Sequence, residues 1–162
     1  MTGRPLAIRM GPLADASFHA RVPGRSRRAV VAAPRYLQQG GVPQEPGGLV
    51  RHRCFNFRRP LDEWPFRLGG QTVHLPVQDG MLTHNGETMR QLTLDGLGVS
   101  RLAMLHVAAE LQAGRLVELL PGYNPGDTEE VSAIFRNQRH MPLRVRAFTD
   151  LLVESVSPLL AA

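Results

Sequence analysis

Leu6, Ile8 and Met10 alternate with Ala7 and Arg9, a period of two that predicts a strand ending at Gly11-Pro12. Phe18 to Val22 reads as a second strand and Gly24-Arg25-Ser26-Arg27 as a turn. The unbroken apolar run Ala29 to Ala32 then reads as a third strand, buried on both faces. A short helix opens at Pro34 and stops at Gly40-Gly41, ahead of a Pro- and Gly-rich connection through Gly48. Cys54 to Phe57, Trp64 to Arg67 and Thr72 to Val77 predict an antiparallel meander, with a hairpin at Gly69-Gly70. Asn85 is a strong N-cap for a helix burying Met89 and Leu92, and Glu87 suits the positive end of its dipole. Gly96-Leu97-Gly98 closes that helix and leads into a strand near Val99 to Ala103. A further helix over about Val107 to Ala113 stops at Gly114. Leu116 to Leu120 and Val131 to Phe135 read as strands on either side of the turn-rich Pro121 to Asp127. Pro142 opens the last helix, whose Leu143, Ala147, Phe148, Leu151, Leu152 and Val156 form one broad apolar face. The pattern is α/β with mixed pairing.

With 162 residues and 43% apolar content, the chain can form one domain or two small lobes. Its longest apolar runs fall far short of the roughly 20 residues that span a bilayer, and Arg4 and Arg9 interrupt any signal-like segment before Pro12. A cytoplasmic protein of bacterial type is the simplest reading. Cys54 is the single cysteine, so no internal disulfide forms, and it reads as a small buried residue beside Phe55 and Phe57. The net charge is +5 and every basic residue is Arg. That balance raises an anionic partner, yet the densest cluster, Arg21, Arg25, Arg27 and Arg28, has no interleaved aromatic residues to stack on bases. It reads as a solvated turn.

No catalytic set assembles in the sequence. Ser100 lacks the second glycine of a nucleophile elbow, and Gly96-Leu97-Gly98 follows a helix instead of opening one, unlike a dinucleotide fingerprint. The six histidines are dispersed without metal-ligand spacing. The expectation is a protein that is no enzyme and that needs no metal or cofactor. One feature has binding chemistry: the amides of Gly86, Glu87 and Thr88 open a helix, where unpaired N–H groups and the dipole receive a carboxylate, phosphate or sulfate. An ordinary self-capped helix is the alternative.

The ordered set Pro34-Arg35-Tyr36-Leu37, His52-Arg53-Cys54, Asn85-Gly86-Glu87-Thr88, Gly96-Leu97-Gly98, Gly114-Arg115-Leu116-Val117, Tyr123-Asn124-Pro125-Gly126-Asp127 and Arg144-Val145-Arg146-Ala147-Phe148 resembles the effector-binding domain of LysR-type transcriptional regulators. Ala33, Arg53 and Ala103 depart from residues common in that family. The resemblance implies a type 2 periplasmic-binding-protein-like fold of two Rossmann-like lobes, residues 32–122 forming one and residues 1–31 with 123–162 the other. It also implies that the second lobe is incomplete, because the family's first two β-α units and its winged helix-turn-helix precede the point matched by Leu6.

By that resemblance the start of the Asn85 helix faces the cleft between lobes, and Arg9 is the candidate charge partner for an anion across it. An exposed, ion-paired Arg9 is the other reading. Ligand-binding candidates are therefore Arg9, Asn85, Gly86, Glu87 and Thr88. The implied function is sensing of a small, anionic effector that modulates transcription, with DNA contacted only through a helix-turn-helix outside this chain and no membrane partner. Self-association is expected through an unpaired edge at Leu6 to Gly11. The alternatives are a structural or dominant-negative partner of an intact regulator, or a small solute-binding protein.

Overall fold

The computed structural model describes residues 6–10, 18–57, 63–77, 79–83, 85–136 and 143–160. In chain order these form β1 (Leu6–Met10), β2 (Phe18–Ala32), α1 (Pro34–Gly40), a 3-10 helix (Pro46–Arg51), β3 (Cys54–Phe57), β4 (Glu63–Leu68), β5 (Gln71–Pro76), β6 (Asp79–Thr83), α2 (Gly86–Leu94), β7 (Val99–Ala103), α3 (Met104–Gln112), β8 (Val117–Leu119), a 3-10 turn (Pro121–Tyr123), β9 (Thr128–Arg136) and α4 (Leu143–Leu160). The chain divides into a smaller unit, Met1–Arg27 with Thr128–Ala162, and a larger one, Arg28–Asp127.

In the larger unit, Arg28–Ala32 of β2 pairs antiparallel with β7 and β8, while β3 lies parallel to both β7 and β6. Strand alternation divides the core into two layers. Val30, Ala32, Cys54 and Val99 pack on one face with Leu37, Leu49, Trp64 and Phe66. Ala29, Val31, Phe55 and Leu102 pack on the other with Met89, Val107 and Leu116. Coverage on both faces explains the uninterrupted apolar reading of residues 29–33. The expected meander reduces to one hairpin, β4 with β5. β3 leaves it for the main sheet because Cys54 and Phe55 are buried on opposite faces, which a two-stranded ribbon cannot provide. The sequence pattern does not predict β6, because Met81 and Leu82 are half-exposed there and carry little apolar periodicity.

Buried polar groups in this unit are paired locally. Trp64 Nε1 donates to Asn56 Oδ1 at 2.6 Å. Thr93 donates to the Met89 carbonyl at 2.8 Å, and its hydroxyl lies 2.8 Å from that of Ser100. Asn124 Nδ2 donates to the Arg28 carbonyl at 2.7 Å, its Oδ1 accepts from the Gly126 amide at 2.9 Å, and Asp127 pairs with the buried Arg101. The Asn124-Pro125-Gly126-Asp127 run thus stitches β2, β7 and its own turn.

In the smaller unit, β9 pairs antiparallel with β1 on one side and with the first part of β2 on the other. The expected turn at residues 24–27 does not form. β2 continues through it, and Gly24, Arg25, Ser26 and Arg27 lie opposite Val131, Glu130, Glu129 and Thr128. The chain irregularity sits instead between Arg21 and Gly24, where the register shifts across Val22-Pro23, proline being unable to donate to the ladder. Arg25 is ion-paired with Glu130 at 3.7 Å and Ser26 is buried, so the basic cluster belongs to a sheet and not to a solvated turn. In α4, Thr149 and Leu160 are buried, with Leu160 against Gly24. The expected apolar face is only partly covered: Leu143 is 81%, Phe148 49% and Leu151 58% exposed. Pro142 lies outside the described residues.

Candidate functional site

α2 begins where β6 ends, and the polar residues at that junction fix its geometry. Asn85 adopts an extended backbone (φ −123°, ψ 115°), and its Oδ1 accepts from the amides of Glu87 at 2.9 Å and Thr88 at 3.4 Å. Its own amide donates to Thr83 Oγ1 at 3.1 Å. Two of the three amides expected to be unpaired, those of Glu87 and Thr88, are therefore occupied by the cap itself. Asparagine places an acceptor within reach of the second and third helical N–H groups, so the helix satisfies them without a ligand.

Glu87 turns away from the helix start. Its carboxylate accepts from Arg90 Nε at 3.1 and 3.0 Å and from Nη2 at 2.5 Å. Arg90 Nη1 also donates to Glu110 of α3 at 2.7 Å, and the second Glu110 oxygen accepts from Arg115 Nε at 2.5 Å. This alternating chain of charges clamps α2 to α3. The Arg90 hydrogen bond holds the Glu87 carboxyl below its ordinary pKa, with further help from the charges of Arg90 and His106. Arg115, then Arg90, does the same for Glu110. Both stay ionised at neutral pH.

His106, which the sequence pattern does not connect with Asn85, also belongs to this site. It stands against the first residue of α2, and a methyl group on Gly86 would come within 2.9 Å of its Nε2. A larger residue at position 86 would have to displace the His106 ring, so glycine suits the packing between the two helix starts. No spacing in the sequence joins residues 86 and 106; β7 brings them together by reversing the chain between the helices.

The start of α2 thus gathers Asn85, Gly86, Glu87 and Thr88 with His106 and Arg90. Arg9 belongs to the smaller unit, in β1 opposite Ser132 of β9, and its side chain lies outside the described part of the structure. Ser100 is fully buried against Thr93, with no route for a substrate to its hydroxyl. Among the described residues, no group of three or more His, Cys, Asp or Glu is arranged to hold a metal ion, and no helix is long and apolar enough to cross a membrane.

The profile of the LysR substrate binding domain matches residues 6–157, nearly the whole chain. The chain belongs to that LysR family. Among curated LysR-type relatives, the HTH-type transcriptional regulator CrgA of Neisseria meningitidis serogroup C is 32% identical over 153 residues, covering 93% of this chain and 51% of the relative. PtxR of Pseudomonas aeruginosa is 35% identical over 153 residues, covering 92% and 48%. The HTH-type transcriptional activator AaeR of Escherichia coli is 30% identical over 158 residues, covering 94% and 51%. The chain spans about half the length of these regulators. In structure it matches the CrgA regulatory domain with a TM-score of 0.83 at 32% identity, over 93% of this chain and 74% of that one. Full-length AphB of Vibrio cholerae shares the fold with a TM-score of 0.72, over 93% of this chain and 51% of that one. The mixed α/β architecture is accordingly that of the regulatory domains of LysR-type regulators, the type 2 periplasmic-binding-protein-like fold.

Proposed function

We propose that this LysR effector-binding domain senses a small anionic molecule at the start of α2, and that its two units are the lobes that respond. The observation that carries the reading is the match of the LysR substrate binding domain across residues 6–157. In this reading the ligand competes with Asn85 Oδ1 for the amides of Glu87 and Thr88. Displacing the cap costs about 1 kcal/mol, which an anion at the positive end of a helix offsets with charge-assisted hydrogen bonds. The Glu87 carboxylate does not oppose entry strongly, because Arg90 holds both its oxygens. Arg9, a candidate from the sequence, is kept in this reading as a second cation for the ligand. Promoter DNA is engaged through the helix-turn-helix that the relatives' names record, and the effector alters its geometry by shifting the populations of lobe arrangements.

Titration calorimetry with sulfate, acetate and benzoate tests the reading on two variants. Asn85→Asp keeps a good cap but leaves a negative charge on the two amides, so anion binding should be abolished. Arg9→Ala should weaken it roughly tenfold, as the loss of a charged hydrogen bond does. Absence of heat from every anion with the unaltered chain, or equal affinity in Asn85→Asp, would overturn the proposal.

A further inference from the structure

A half-open pocket lies wholly within the larger unit, among residues that the α2 site does not use. The turn after α1, the 3-10 helix Pro46–Arg51 and Tyr123 surround a cavity of about 560 Å3, within the range of small-molecule sites. Its wall includes the bare backbone of Gly40, Gly41 and Gly48, together with Arg51, His52 and Tyr123. His52 is only 6% exposed, and its Nδ1 is the buried side-chain nitrogen that has no hydrogen-bond partner among the described residues. A buried polar atom in that condition costs roughly 1–3 kcal/mol, and native structures tolerate few of them.

The imidazole is held in place by the Tyr36 ring, 5.8 Å away between centroids and tilted by 52°. Its Nδ1 edge faces Gly40, where a methyl group would stand 3.6 Å from both Nδ1 and Cε1. The nitrogen therefore sits beside a stretch of the pocket wall built without side chains.

We propose that this pocket is a site for a small neutral ring compound bearing a hydroxyl group, which hydrogen-bonds to His52 Nδ1. Burial, and then the nearby Arg51 charge, hold the His52 pKa below its ordinary value, so the imidazole is neutral. Depending on tautomer, a neutral imidazole presents either a lone pair or an N–H at Nδ1, and a hydroxyl complements both. Arg51 and Glu45 both line the pocket, one charge of each sign, so neither sign of ion is favoured. Proline and glycine surfaces at Pro43 and Gly48, with the partly buried Tyr123, suit a flat or cyclic apolar body. The site is independent of the α2 reading, and neither Arg9 nor Asn85 takes part.

Phenol and cyclohexanol are the probes, toluene the control of similar size without a hydroxyl. In the full chain, phenol or cyclohexanol should shift the His52 imidazole nitrogen resonances saturably, and toluene should bind at least about tenfold more weakly. Gly40→Ala adds a methyl at ordinary contact distances on the helical α1 backbone, so it should leave the melting temperature unchanged while weakening phenol at least about tenfold. His52→Leu should do likewise for binding, and His52→Asn, whose amide falls near the Nδ1 position, should restore it. If His52→Leu fails to fold, Gly40→Ala and the toluene comparison decide the matter. No saturable shift at His52, equal binding of toluene, or undiminished binding in folded Gly40→Ala would each overturn the site.

Discussion

Asn85 shows how much a single side chain decides at the start of α2. Its carboxamide satisfies two helix amides, so Asn85→Ala should lower unfolding free energy by about 1 kcal/mol, measured by urea denaturation, while Asn85→Asp should stay near the original value. Stability should also fall with acid in two stages. The His52 pKa is depressed in the folded state, so the unfolded chain takes up a proton first; the loss begins near the ordinary value of 6.5 and continues below it. The Glu87 and Glu110 carboxyls are likewise depressed by Arg90 and Arg115. Their contribution is complete above the ordinary 4.5 and is lost as pH falls through the folded values. Denaturation midpoints across this range check the order, and His52→Asn should remove the first stage alone. Cys54, whose thiol burial pushes up to about 12, should react with iodoacetamide only as fast as the chain opens.

Among the elements, those with strong local signals were legible and those set by distant partners were not. The Asn85 cap, the glycine stops of α1 and α3 and the Gly69-Gly70 hairpin obey local rules, and each forms where the sequence reading puts it. The Gly24–Arg27 stretch carries turn composition, yet it is held extended by β9, more than a hundred residues away in sequence. No local rule could have shown that pairing. α3 starts at Met104, ahead of the expected Val107, because Ala103 ends β7 in an extended conformation and the helix follows without a connecting loop. At the candidate site, the helix start was readable, while His106 and the Arg90–Glu110 link depend on how α2 and α3 cross. Gly98 illustrates a constraint of this kind. A methyl group there would meet the Arg53 carbonyl oxygen at 2.4 Å and the Phe55 ring at 3.0 Å. Gly98→Ala should therefore cost about 1–3 kcal/mol through forced movement of β3 against β7. Gly122, with nothing within 4 Å of the same added methyl group, is the control: Gly122→Ala should leave the thermal midpoint unchanged.

At the scale of the whole molecule, the smaller unit presents two surfaces suited to association. β1 pairs only with β9 among the described strands and so offers an edge. On α4, Leu143, Ala147, Phe148 and Leu151 recur with helical spacing and form an exposed apolar stripe. The stripe should dominate. Burying a large apolar side chain contributes about 1.5–3 kcal/mol, and three such side chains stand largely open, whereas strand-edge hydrogen bonds exchange water partners for protein partners with a small net gain. We therefore expect the chain to self-associate with increasing concentration in analytical ultracentrifugation. Phe148→Glu combined with Leu151→Glu should weaken that association at least about tenfold without lowering the melting temperature, because both positions are already exposed. Ile8→Lys, aimed at the edge, should weaken it less. A chain that stays monomeric at high concentration would contradict the expectation, and abolition by Ile8→Lys with no effect of the α4 pair would return the interface to β1.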